Sequence, residues 1–482
     1  MLPELTLPAS LVLLLGALRP CFTRPSFGTF CGLAAGLAGQ PRRRTVTGML
    51  LGAGLSRCWP HDRAHYFFAR ARWDADQLGL AVAQLAVMLL VPPREAITVA
   101  VDDSLFRRSG RTVHGARWQH DGSAPSRAKI SFGTCFVTAG IVVRLPFCSR
   151  PVCLPVPARL NIPAKGPRAR RRAAQPGSKV AQAAGLVTAL AAAFPGRRVH
   201  VVADAYYHGP SVKDLPGNVT WTCRLMASAV LYDLPPGRRP GTRGRPRVRG
   251  GRLGTPAGLA AAADWAPAAV RIYGQHKRIQ LAERTCLWYG CLHTRTVRVI
   301  LARDSGSDLA LVTTDLDTPA AALTERYAAR WSIEQAFSDI RNVLGGGQAR
   351  NRVRAAVERT VPFTMLVHTL IITWYARHGH DDAGIARRRA AQPWYASKTE
   401  PAFEDMLDSL RRVMITARIS RTRSTPPAPE EIQHDLAAWT AAAAELRNTS
   451  DHITRYSARG ASHCAEDGRR MVAYSVYRRM RA

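Results

Sequence analysis

Hydrophobic residues recur along this chain with two different periods, and the change from one to the other divides it. Up to about residue 92 the spacing is helical, with apolar clusters at "FGTFCGLAAGLAG", "MLLGAGL" and "LGLAVAQLAVMLL" and a basic insert, Arg42, Arg43 and Arg44, between the first two. The run "ASLVLLLGAL", Ala9 to Leu18, reads as a buried helix. From Ile97 the pattern alternates. "ITVAVDDS" follows two prolines, is rich in β-branched residues and ends in acids, so it predicts a strand that carries Asp102 and Asp103 to the edge of a sheet. "SFGTCFVTAGIVVRL" and "VCLPVPARL" predict two more strands, and "VAQAAGLVTALAAAF" a helix stopped by Pro195 and Gly196. "RRVHVVADAYY" is a short apolar strand ending at Asp204, and "NVTWTCRL" a fifth.

Three strands, a helix, a strand, a link and a fifth strand is the order of a ribonuclease-H-like mixed sheet, so the expected class is α/β. A Pro/Gly/Arg segment, "PPGRRPGTRGRPRVRGGRL", then interrupts the pattern and suits contact with a polyanion better than a core. The stretches "VRIYGQHKRIQLAERTCLWYGCLHTRTVRVILARD" and "DLALVTTDL" read as a β-rich insertion. "DTPAAALTERYAARW" predicts a helix capped by Thr318 with Pro319 in its first turn, and "VERTVPFTMLVHTLIITWYA" another. The expected organisation is a helical, DNA-binding region at 1–92, a first catalytic part at 93–232, a basic linker and β-rich insertion at 233–315, the catalytic helix and domain end at 316–376, and a loosely ordered tail at 377–482 with one amphipathic segment, "AFEDMLDSLRRVM".

Charge narrows the partners. The 482 residues carry 68 Lys and Arg against 34 Asp and Glu, a formal net charge of +34. So large an excess repels itself unless a polyanion is near, which makes nucleic acid the expected partner. The Ala9 to Leu18 run is about half as long as a bilayer crossing requires, and its upstream flank has Glu4 but no Lys or Arg, unlike a signal peptide. A cytoplasmic protein without a membrane partner is expected. The ten cysteines include no C-x2-C pair; Cys286, Cys291 and His293, read as lying on a strand, lack a fourth ligand for zinc.

The stretch "YAARWSIEQAFSDIR" carries Tyr327, Arg330, Glu334 and Arg341. On one continuous α-helix these four side chains fall within roughly 60° of each other. Alone, such a stripe reads as an ion-pair network. With Asp102 and Asp204 upstream it reads differently, because three carboxylates brought together repel by several kcal/mol in low dielectric unless cations neutralise them. Hard oxygen donors select Mg²⁺, with Mn²⁺ as substitute, and the trio implies two-metal phosphoryl transfer.

The stretch resembles the Y-R-E-K signature, Y-x2-R-x3-E-x6-K, around the last glutamate of a group of bacterial insertion-sequence DDE transposases, and "AVDDS" and "VVADAYYHG" resemble that group's two aspartate motifs over roughly residues 95 to 375. Arg341 stands where the signature has lysine, which keeps the charge but substitutes a planar fork. The motif of Asp, any residue, then Thr or Ser fits Asp102 with Ser104, with Asp103 held in reserve. Resemblance implies that Asp102, Asp204 and Glu334 are catalytic and hold two Mg²⁺ ions, and that Tyr327, Arg330 and Arg341 grip phosphates. Further phosphate contacts are expected from Arg42, Arg43, Arg44, Arg170, Arg171, Arg172, Arg245 and Arg247. The partners implied are double-stranded DNA, as element ends and target, and a second copy of the chain. A catalytically inactive DNA-binding descendant and a structure-specific nuclease of the same fold are the other readings left open.

Overall fold

The computed structural model describes residues 6–122, 124, 128–163, 177–237 and 245–422. Five helices come first: α1 (Ala9–Gly16), α2 (Arg24–Gly39), α3 (Val46–Gly52), α4 (His61–Ala69) and α5 (Ala75–Leu90). Then come β1 (Ile97–Arg107), β2 (Arg117–His120), β3 (Ile130–Val143), β4 (Val152–Leu160), α6 (Lys179–Ala193), β5 (Val199–Ala203) and β6 (Val219–Arg224). The insertion comprises β7 (Leu231–Tyr232), β8 (Arg252–Gly254), α7 (Pro256–Ala261), β9 (Ala266–Ile272), β10 (Gln275–Leu287), α8 (Tyr289–Leu292), β11 (Thr296–Asp304) and β12 (Ser307–Thr313). Helices α9 (Ala320–Ala328), α10 (Trp331–Asn342), α11 (Arg354–Trp374), α12 (Asp382–Ala391) and α13 (Phe403–Thr422) complete the described chain.

β3 pairs with both β4 and β1 antiparallel, while β1, β5 and β6 run parallel. The spatial order β4-β3-β1-β5-β6 is the ribonuclease-H-like core expected from the order of elements. The insertion extends this sheet: β12 pairs antiparallel with β6, and β11 and β10 follow. Its last strand therefore delivers the chain to α9 from inside the sheet.

Met1–Arg418 form one compact unit; of the second, Ile419–Ala482, only the end of α13 is among the described residues. Within the first unit, one continuous apolar core joins Leu15 and Phe30 of the N-terminal helices to Val99 and Val201 of the sheet, Cys286 of the insertion, Phe363 of α11 and Leu407 of α13. Helix α11 is the hub. Phe363 is fully buried and meets Phe30, Phe67 and Phe68 edge-on, with ring centroids 6.0, 6.1 and 5.2 Å away. The segment Arg354–Gly379 is long and apolar enough to cross a membrane, but 83% of its apolar window is buried inside the protein.

Four local expectations are corrected. The stretch from Tyr327 to Arg341 is two helices: α9 ends at Ala328 and α10 begins at Trp331, with Arg330 at the N-cap. Thr318 does not cap α9, whose N-cap is Pro319, because Asp315 takes both the Thr318 hydroxyl (2.8 Å) and its backbone N–H (3.1 Å). Cys291 lies in α8, with His293 at that helix's C-cap at φ 55°, so the two do not share a strand with Cys286. Residues 382–391, expected to be loose, form α12.

Replacing Phe363 with Ala should cost about 3–5 kcal/mol, since a filled aromatic site becomes a cavity between α11 and the N-terminal helices. Urea unfolding followed by tryptophan fluorescence measures it; a loss below about 1 kcal/mol would mean that the N-terminal helices do not rest on this contact.

Candidate active site

Side chains on a strand point alternately to its two faces, and here that decides which aspartate goes where. On β1, Ala100 and Phe106 belong to a core cluster that also contains Val202 of β5 and Ile333, Ala336, Phe337 and Ile340 of α10. Asp102 and Ser104 share their face. Val99 and Val101 point the other way, toward the cluster that contains Leu186 and Val187 of α6, and Asp103 goes with them. The parallel register pairs Val101 with Ala203, so Asp102 and Asp204 each lie one residue beyond a paired position.

Helix α10 supplies the third acid for a related reason. Ile333, Ala336, Phe337 and Ile340 follow the i, i+3, i+4, i+7 spacing of a buried face. Packing that face on the sheet places Glu334 and Arg341, seven residues apart, along its flank.

Arg330 joins these elements. One guanidinium nitrogen donates to Asp102 Oδ2 at 3.1 Å and the other to Glu334 Oε1 at 2.9 Å. Its side chain is only 13% exposed, and Asp102 is 20% exposed. Arg341 donates to Ser104 Oγ at 2.6 Å. Tyr327 is half-buried at the end of α9, with the Arg330 guanidinium 6.0 Å from its ring centre.

Burial pushes the Asp102 carboxyl up to about 7 even though Arg330 opposes it, with Asp103 and Glu334 adding repulsion. Glu334 is raised too, by burial first, against Arg330 and with the charge of Asp204 adding to the rise. Burial lowers the proton affinity of Arg330, but Asp102 and Glu334 more than reverse this. Burial also lifts the Tyr327 phenol to about 12, with Arg330 opposing and Asp204 contributing. Asp204 is thus electrostatically coupled to Glu334, Arg330 and Tyr327, and its Oδ1 accepts from the Ala205 N–H at 2.7 Å. Among the described residues, no three His, Cys, Asp or Glu side chains are grouped to hold one ion; Arg330 is the cation between Asp102 and Glu334.

Asp103 is occupied elsewhere. Its carboxylate accepts from the Tyr207 hydroxyl at 2.7 Å, the Lys179 ammonium at 2.6 Å and the Cys135 thiol at 3.2 Å. Sequence reasoning missed Tyr207 and Lys179, although Tyr207 in "VVADAYY", three residues past an aspartate, was the available signal. It also missed Tyr273 at the β9–β10 turn, a non-glycine residue at φ 53°. Burial raises its phenol, and the charges of Arg330 and Glu334 act on it.

The outlying arginines are dispersed. Arg42 and Arg43 are exposed, as are Arg245 and Arg247. Arg44 is buried, with its backbone N–H on Gln348 Oε1 at 2.8 Å, which removes it from the outer surface. Arg170, Arg171 and Arg172 lie outside the described residues.

A ribonuclease-H-like sheet with acids one residue beyond paired positions of two adjacent parallel strands defines a class of nucleic-acid-processing α/β domains. The family of DDE superfamily endonucleases matches residues 17–295, more than half of the chain, and the protein belongs to that family. The match takes in Asp102 and Asp204 and ends before Glu334. No curated protein matches the chain. Membership implies DNA as the substrate of a transposase-type nuclease.

The raised Asp102 has a consequence for stability. A carboxyl whose folded pKa exceeds its unfolded value of about 4 stabilises fully below pH 4, and that contribution is lost as pH rises through about 7. Without divalent ions, Asp102→Asn should match wild type near pH 4 and be more stable at pH 8 by about 1–4 kcal/mol. Thermal melts across that range test this; parallel curves would place Asp102 in a solvated setting.

Proposed function

We propose that this chain is an insertion-sequence transposase of the Y-R-E-K group, which binds the terminal inverted repeats of its element, cuts there and joins the freed 3′ ends to target DNA. The observation that carries the reading is one buried guanidinium bridging Asp102 of β1 and Glu334 of α10, 232 residues apart in sequence, with Asp204 coupled to the same cluster. The family match spans both aspartates. The glutamate rests on geometry and on its resemblance to the signature.

The donor chemistry fits Mg²⁺. The three groups offer hard oxygens, and burial has raised the proton affinity of Asp102 and Glu334, a condition that a divalent cation relieves more fully than one guanidinium. Asp102, Asp204 and Glu334 would hold the ions, with Mn²⁺ as substitute. When bound, two such ions activate the attacking oxygen and stabilise the leaving one in phosphodiester cleavage. Arg330 and Arg341 have guanidinium forks suited to the phosphates on either side of the scissile bond, and Tyr327 flanks them. Exposed Arg42, Arg43, Arg245 and Arg247 add sequence-independent affinity. Residues 1–92 bind element ends, the chain acts as a homodimer at the paired ends, and its place is the bacterial nucleoid in the cytoplasm.

Glu334→Gln should reduce Mg²⁺-dependent cleavage of a labelled duplex bearing the flanking repeat by at least about 1,000-fold while leaving DNA affinity within about twofold, because it removes an ion ligand and not the basic surface. Gel analysis of cleavage beside a filter-binding isotherm separates the two. Normal cutting by the variant would remove Glu334 from the site; tight binding with no cleavage by wild type, in Mg²⁺ or Mn²⁺, would favour an inactive descendant.

A further inference from the structure

Asp102 and Asp204 sit on different strands, and their usefulness as a pair depends on what fixes their spacing. The parallel pairing of β1 with β5 runs only as far as Val101 and Ala203, one residue short of each acid, while β1 continues to pair with β3 through Asp102 and Asp103. Beyond that point the chain leaves β5 in a turn, where the Tyr207 N–H donates to the Asp204 carbonyl at 3.0 Å. Tyr207 is 1% exposed, and Trp221 Nε1 donates to its carbonyl at 3.0 Å. Its hydroxyl crosses to β1 and donates to Asp103 Oδ1. The other Asp103 oxygen accepts from Lys179 at the start of α6, and the Asp103 N–H donates to Asp102 Oδ1 at 2.8 Å. The connection from Asp204 through Tyr207 and Asp103 to Asp102 is therefore unbroken.

Resting on the reading of Asp102 and Asp204 as the two aspartate ligands, we propose that Tyr207, Asp103 and Lys179 form a latch that sets the spacing and orientation of that pair. These are positioning residues: none belongs to the acidic trio, and all act through it. The second aspartate of "VDDS" is thereby assigned a role, tying β1 to the turn after β5 while the first faces the site. Burial and the Asp103 charge keep the Tyr207 phenol well above its ordinary value, so it remains a donor throughout the working range.

A buried tyrosine bonded to a partly buried aspartate is also what plain core packing would give, and metal binding separates the two. In the full-length chain, Mn²⁺ binding by electron paramagnetic resonance is measured for wild type, Tyr207→Phe, Lys179→Met and Asp204→Asn, together with single-turnover cleavage, DNA affinity and melting temperature. Support outside the ligand set typically changes metal affinity or activity by about 10- to 100-fold, and a loss in that range is expected for Tyr207→Phe in both Mn²⁺ affinity and cleavage rate, with DNA affinity unchanged. Lys179→Met, on a partly exposed side chain, should shift in the same direction by less. Wild-type Mn²⁺ affinity in both variants, with only a lowered melting temperature, would make these core contacts and overturn the latch. Wild-type Mn²⁺ binding by Asp204→Asn would instead show that the underlying ligand reading is wrong, and the latch would fall with it.

Discussion

Two partly buried carboxylates sharing one guanidinium is the constraint around which this molecule is arranged. Arg330 does not neutralise its surroundings: burial still pushes the Asp102 carboxyl up to about 7, which makes its ionised form unfavourable. Buried ion pairs seldom recover their desolvation cost, so the cluster is not what stabilises this part of the fold. What holds it together is apolar. Ile333, Phe337 and Ile340 are each at most 3% exposed against Ala100 and Val202, and burying each contributes about 1.5–3 kcal/mol. That apolar packing keeps Glu334 beside an acid it would otherwise avoid.

The position of α10 depends in turn on the insertion. Because β12 pairs with β6, the chain emerges from the sheet at Thr313 and turns at Asp315, which is 2% exposed. Although burial works against it, Asp315 is held down at about 2 by Thr318 and Arg326. Arg326 lies on α9 and donates at 2.9 Å, so the same carboxylate fixes both the turn and the helix that precedes α10. The insertion is therefore more than an appended module: its last strand sets the starting point of the segment that carries Glu334.

The parts of this arrangement legible in the sequence are those governed by local period. Alternation in "ITVAVDDS" and helical spacing in "WSIEQAFSDI" each describe one element and its buried face, and the five-strand order follows from counting elements. What could not be read depended on partners far along the chain. Every residue of "YAARWS" tolerates a helix, yet the helix is interrupted at Ala329 and Arg330, where the guanidinium reaches Asp102 on a strand 228 residues away. Thr318 looked like a cap until Asp315 claimed it. The choice between Asp102 and Asp103 needed to know which face of β1 receives α10 and which receives α6, a fact of tertiary packing that alternation alone leaves two-valued.

Adjacent acids on one strand also divide the work between two environments. Asp103 accepts three donors on the α6 face, whereas Asp102 meets one guanidinium and a backbone N–H on the α10 face. The first has more donors than the second, and the difference comes from which helix covers each face. Three donors, one of them the Lys179 ammonium, already occupy the Asp103 carboxylate. An acid raised by burial, beside a second raised acid and sharing its counter-charge, binds either readily. Exchanging the two environments would require α10 to pack on the opposite face of the sheet, so which aspartate meets Arg330 is fixed by the same hydrophobic stripe that positions Glu334.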